Sequence, residues 1–298
     1  MFAADFDNPW ILDVRNARRR PSAVLAALAG GAFAGALLVA STLWGGAALG
    51  GIIALMGDLA QTTRDIIALA ILDIVVFGAL MAVAFIEVRR EGRRLWRHEV
   101  YGLGAFTGGL ALGFGGFCAS TAVASLAGAI SMGDARPFSM SIGPFLLGLA
   151  LTAFQSVAEE SYFRGWLQPV LCASWGPWLG LLATSALFAG LHMIAGAHGA
   201  LAVVNLLLGG MLFGLLALRS GGLAAPAAAH FAWNWTESGV LGLDAGPTGR
   251  LLDLRLQGSA LWSGGPDTMN GSLAMTIVLS ALVLTLMSVK PQAAPLRA

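Results

Sequence analysis

The stretch IGPFLLGLALTAFQSVAEESYFRGWLQPVLC, residues 142–172, is long and apolar enough to cross a bilayer, yet it carries Glu159, Glu160 and Arg164. A transmembrane helix needs about 20 predominantly apolar residues. An ionised side chain at the centre of such a helix costs roughly 2.5–3.5 kcal/mol on insertion scales. From residue 141 to residue 218 these three are the only Asp, Glu, Lys or Arg side chains. Charge concentrated at one level of an otherwise uncharged span marks a site.

The rest of the chain has the same character. Of 298 residues, 57% are apolar and 11% charged, against about 25% charged in a soluble domain. The mean hydropathy is +0.77. This composition predicts an all-α, polytopic membrane protein, an eight-transmembrane-helix bundle. Its apolar spans fall near 22–49, 66–86, 101–130, 142–172, 177–196, 200–218, 222–243 and 271–289. Residues 1–21 form an N-terminal segment, 22–290 the membrane domain with its site in 142–243, and 291–298 a disordered tail. The run after Arg15, Arg18, Arg19 and Arg20 is too long for a signal peptide and reads as a retained first helix. The polar connection at 243–270 is the longest.

An even number of spans puts both termini on one side. Twelve Lys and Arg residues then share the side of the termini (Arg15, Arg18, Arg19, Arg20, Arg89, Arg90, Arg93, Arg94, Arg97, Arg219, Lys290, Arg297). Four lie opposite: Arg64, Arg136, Arg250 and Arg255. The excess of cations predicts cytoplasmic termini, and a bacterial inner membrane is the expected location. Trp44, Trp166, Trp175, Trp178 and Trp262 fall near span ends, where interfacial aromatics concentrate. The GxxxG pairs Gly31/Gly35, Gly104/Gly108, Gly109/Gly113 and Gly210/Gly214 predict close helix packing within the bundle. Cys118 and Cys172 read as small core residues. With a net charge of +1 and no basic motif, nucleic acid is not an expected partner. The lipid bilayer and a membrane-bound protein are.

Further polar groups sit in the apolar spans. Glu160 and Arg164 are four residues apart, in the order that favours an ion pair along a helix. Glu159 points about 100° away from Glu160, so the two carboxylates serve different neighbours. His192 follows Phe188, and Asn234 follows His230, each by four residues and on one helix face. Glu159 and His192 are equidistant from Trp175-Gly176, within the turn signal Ser174-Trp175-Gly176-Pro177. In a straight hairpin they would meet about 24 Å from that turn, at 1.5 Å per residue. His230 and Asn234 reach a similar depth. A carboxylate opposite an imidazole can activate water, and a second imidazole with an amide can stabilise an oxyanion. His198 reads as a loop residue, with a third metal ligand as the lesser reading. Asp73 and Glu237 read as packing or interfacial groups.

Glu159-Glu160-x-x-x-Arg164, Phe188-x-x-x-His192 and His230-x-x-x-Asn234 resemble the three motifs of the CPBP (Abi) intramembrane proteases, which include the type II CAAX prenyl endopeptidases. The resemblance covers roughly residues 142–243. It implies an endopeptidase acting on a membrane-associated or prenylated, lipid-modified protein substrate. It casts Glu159 as the water-activating glutamate, His192 as its partner, and His230 and Asn234 as oxyanion donors. Glu160, Arg164 and Phe188 support them. The family has been described as metal-dependent and as metal-free. A divalent metal such as zinc would fall to Glu159, His192 and His230, but Asn is a poor zinc ligand and no pair of histidines stands four apart, so metal-free catalysis is expected. His98-Glu99 does not continue as HExxH, and there is no GxSxG or GxGD. Two other classes fit the same residues: a proton-coupled transporter using the acids and histidines as a relay, and a non-catalytic scaffold or immunity protein of this fold.

Overall fold

The structure is a computed structural model that describes residues 8–54, 60–96, 102–133, 142–244 and 246–288. Arg97, His98, Glu99, Arg136, Lys290, Arg297 and the 291–298 tail, read above for topology, motifs or disorder, lie outside these residues.

A short helix, α1 (Pro9–Arg15), comes first. Asn8 caps it, its side chain accepting from the Trp10 N–H at 2.9 Å, and Pro9 occupies the first turn, where its missing N–H costs nothing. Then come α2 (Ala23–Ala54), α3 (Gln61–Arg90), α4 (Gly102–Leu126) and the strand β1 (Ile130–Met132). The next helix is α5 (Ile142–Glu160), which runs through a π-helical segment, Ser161–Leu167, into α6 (Gln168–Trp175). Gly176, at φ 84°, and Pro177 turn the chain into α7 (Pro177–Ile194), as the turn signal predicts. After α8 (Ala200–Ser220), α9 (Ala224–Trp235) passes into a second π segment, Thr236–Leu241. The final connection holds β2 (Leu254–Leu256), α10 (Ala260–Ser263) and a 3-10 turn, Gly265–Gly271, ahead of α11 (Leu273–Ser288).

Among the described residues the bundle is all-α apart from one antiparallel pair, β1 with β2, in the register Ile130↔Leu256, Ser131↔Arg255 and Met132↔Leu254. Strands of three residues paired across so much sequence carry no local signal. Among the described residues seven helical stretches are long and apolar enough to cross a membrane, not the eight expected. The exception is Ala224–Leu241. It carries His230, Asn234 and Glu237 and packs against α4, α5 and α8, so it is shielded from lipid and needs no apolar surface. It nevertheless links the two ends of the bundle. At its start, Trp10 Nε1 donates to the Gly221 carbonyl and Asn8 donates to the Leu218 carbonyl at 2.5 Å. At its finish, Leu251 and Leu252 donate back to Gly239 and Val240, beside the two-stranded sheet.

Glycine sets how near α9 can come. A side chain on Gly109 or Gly113 would meet the carbonyl oxygens of Ala225 and Ala229 at 2.3 and 2.1 Å, so only glycine allows this approach of α4 to α9. Gly210 lies similarly against Ser185. Gly104 and Gly108 face nothing within 4 Å, so that pair plays no such part. Trp166 is buried against Tyr162 inside the π segment rather than at a membrane interface. The two cysteines are unbonded.

Candidate active site

The three motifs arrive on three walls. Glu159 and Glu160 end α5, with Arg164 one turn on in the π segment; Phe188 and His192 lie on α7; His230 and Asn234 lie on α9. The first π segment follows the two carboxylates and carries Arg164, the second begins two residues after Asn234, and π-helical insertions recur at functional sites.

The Arg164 guanidinium has no solvent exposure. It donates from Nη1 to Glu160 Oε1 at 2.7 Å and from Nη2 to the Gly210 carbonyl at 3.0 Å. Its remaining surface lies over the rings of Phe188, Phe163 and Phe213, at 4.9, 5.6 and 5.6 Å. A charge this deep persists only when paired and hydrogen-bonded, and the four-residue spacing supplies the pair. Glu160 Oε1 also accepts from His230 Nδ1 at 2.8 Å. Glu160 is thus a bridge between the first motif and the third. The contact fixes the His230 tautomer and leaves Nε2 on the far side of the ring. Phe213 stacks on that ring at 4.6 Å.

Phe188 organises the second motif. Its carbonyl accepts from His192 Nδ1 at 2.9 Å, leaving Nε2 as the lone-pair nitrogen. Its ring lies 4.4 Å from the His192 ring and 6.1 Å from that of His230. The two imidazoles are therefore within about a helix diameter of each other.

His192, His230, Asn234 and Phe188 line one cavity of about 440 Å³. Glu159 and Glu160 lie behind its wall. Glu159 is 4% exposed; its Oε1 accepts from the cavity residue Gln155 at 3.1 Å, and its Oε2 has no partner among the described residues. Straight-hairpin geometry holds for α6 against α7, but beyond the π segment α5 packs on α3 and α9. Glu159 consequently has Asp73 of α3 within range of its charge.

Residues 141–236 match the family described as type II CAAX prenyl endopeptidase Rce1-like. The segment is similar to that family. No curated protein and no solved structure matches the chain.

The Rce1-like segment holds all three motifs, and the cavity around them also draws on residues outside it. Asp73, Asp244, Thr248, Gly249 and Asn270 come from α3 and the connection after α9. Asp73 and Glu237, read from the sequence as packing groups, both line the cavity. Their signal was present: each is an acid in a buried or apolar stretch with no cation four residues away. Gln155 was missed because an amide in an apolar helix has many uses. Asn205, also in the lining, ties α8 to the last helix, donating to the carbonyls of Asn270 and Ser272 at 2.7 and 2.9 Å. His198 is an exposed loop residue whose N–H donates to Asp267.

Among the described residues no three His, Cys, Asp or Glu side chains form a group that could hold an ion. His192 and His230 each have Nδ1 engaged and Nε2 free, so Nε2 is the atom either ring would turn to a substrate or an ion. No step below runs through a metal.

Proposed function

We propose that the protein is an intramembrane endopeptidase that hydrolyses a peptide bond in a membrane-associated, lipid-modified protein, with CAAX-type substrates the class its family suggests. The observation that carries this reading is the convergence of two imidazoles and an amide, from α7 and α9, on one cavity beside a buried carboxylate with an unpartnered oxygen.

In this reading Glu159, helped by His192 Nε2, takes a proton from a water molecule whose oxygen attacks the scissile carbonyl carbon. His230, oriented by Glu160 through Nδ1, and the Asn234 amide donate to the oxyanion. The tetrahedral intermediate collapses with cleavage of the C–N bond, and the proton held by the Glu159–His192 pair passes to the leaving amine. A buried setting strengthens each of these hydrogen bonds relative to water.

The test is cleavage of a membrane-anchored reporter peptide by the purified protein in bilayer nanodiscs, which support no ion gradient. Cleavage is expected there, is expected to survive a strong chelator, and is expected to be lost in His192→Ala and Asn234→Ala. Solute flux in liposomes that requires a gradient, with no cleavage, would instead establish a transporter. Cleavage abolished by chelator and restored by zinc would establish a metal enzyme.

The arginine count puts both termini in the cytoplasm, which turns the exposed cavity lining at Asp244 and Gly246 toward the opposite face. In a chain with both native cysteines replaced, a membrane-impermeant maleimide should label Gly246→Cys on intact cells and Arg90→Cys only after permeabilisation. The reverse pattern inverts the orientation.

A further inference from the structure

We propose that the cavity selects a peptide with a positively charged Lys or Arg side chain beside the bond it cleaves, and that Glu237 receives that charge. The inference deepens the hydrolytic reading of the same cavity and rests on it.

Among the described residues the ionisable side chains lining the cavity are Asp73, Glu237, Asp244, His192 and His230, with no Lys or Arg. Neither imidazole is directed to Glu237 through Nδ1, since His192 gives that atom to Phe188 and His230 gives it to Glu160. Glu237 itself is 8% exposed, and its Oε1 has no hydrogen-bond partner. Thr268 is its hydrogen-bonding neighbour, and Asp244 is its acidic neighbour.

Acids held elsewhere in this protein for structural reasons are treated differently. Glu160 has Arg164 at 2.7 Å, Glu91 has Arg93 at 2.5 Å, and Asp253 has Arg250 at 2.7 Å. Buried charges are paired because desolvation is costly. Glu237 departs from that pattern at a cavity wall: it has an unpartnered oxygen and no cation beside it among the described residues, and a cation from outside the chain would both pair with it and hold it ionised.

Position identifies the source. Glu237 follows Asn234 by three residues, about 4.5 Å along the axis at 1.5 Å per residue. A substrate whose scissile carbonyl reached Asn234 and His230 would bring a flanking side chain to Glu237. Asp244 at the exposed margin and Asp73 on the α3 wall extend the same negative field, which attracts a cationic segment and disfavours an anionic one.

The test uses the full chain in nanodiscs of zwitterionic lipid, which removes competing lipid charge. The probes are N-myristoylated peptides of one sequence in which a single residue, scanned through four central positions, is Lys, Nε-acetyl-lysine or Glu. Binding and cleavage are read separately. At one position or more the Lys peptide should bind at least about tenfold tighter than its acetylated form, with the Glu peptide weakest. That ratio should fall toward one in Glu237→Gln. Should that variant fail to fold, the exposed-margin variant Asp244→Asn should lower the ratio in the same direction. Equal binding of all three peptides at every position, or preference for Glu, overturns the proposal. Charge-selective binding without cleavage keeps it and removes the hydrolytic reading; cleavage without charge selection does the opposite.

Discussion

Purified Glu159→Gln protein should cleave a membrane-anchored peptide at least about 10²-fold more slowly than the parent, the scale of a lost general base, with its thermal unfolding unchanged. The two halves of this expectation have separate causes. Gln keeps the length and shape of Glu and retains a carbonyl oxygen to accept from Gln155, the one hydrogen bond the Glu159 side chain makes among the described residues. Its NH₂ group replaces Oε2, which no donor among the described residues satisfies, so folding loses little. An amide cannot take a proton from water, so chemistry loses the step. Glu160→Gln is the informative contrast. Its Oε1 serves both Arg164 and His230, so that substitution should lower stability and activity together. Parent-like cleavage by Glu159→Gln would remove this residue from the mechanism. Full loss in Glu160→Gln at parent stability would make the bridging carboxylate the base instead.

The legible parts of this fold are those that rest on one span at a time. Apolar length places the helices, Gly176-Pro177 places the turn, and the spacing of Glu160 and Arg164 places the pair, because each depends only on residues within one span or its adjoining turn. The arrangement around Glu159 was less legible. Depth counting assumes a straight α-helix, and the π segment at Ser161–Leu167 breaks that assumption immediately after the carboxylates. Nothing in Ser161-Tyr162-Phe163-Arg164-Gly165-Trp166-Leu167 announces it. The side chains favour helix of any pitch, and the choice is made by packing, including the close fit of Gly165 under Leu95 and the reach of Arg93 to the Gly165 carbonyl at 3.5 Å. The sequence counts residues 222–243 as an eighth apolar span, and Ala224–Leu241 is the one that falls short in apolarity. Its polar residues lower its hydropathy, yet shielding by α4, α5 and α8 is what lets it carry them. The same shielding turns Glu237 from an apparent interfacial group into part of the cavity wall.

Arg164→Leu is the substitution expected to cost the most stability, about 3–5 kcal/mol, the range for removing one partner of a buried ion pair. The loss comes chiefly from what remains. Glu160, with no side-chain exposure, would keep its charge with only the His230 N–H to answer it, and the Gly210 carbonyl would lose its donor. Leu fills the space among Phe163, Phe188 and Phe213 without replacing either hydrogen bond. Adding Glu160→Gln removes the stranded charge, so the double variant should be more stable than Arg164→Leu alone, with a coupling of about 0.5–3 kcal/mol between the sites. Activity should not return with it, because His230 still lacks its carboxylate partner. Denaturant unfolding in mixed micelles, run beside the peptide assay, separates the two readouts. If the double variant lost the sum of the two single losses, the sites would be energetically independent, and the contact of 2.7 Å would not be what holds the first motif in place. If it recovered both stability and cleavage, Glu160 would serve packing alone, and the alignment of His230 would have to come from the stacked ring of Phe213.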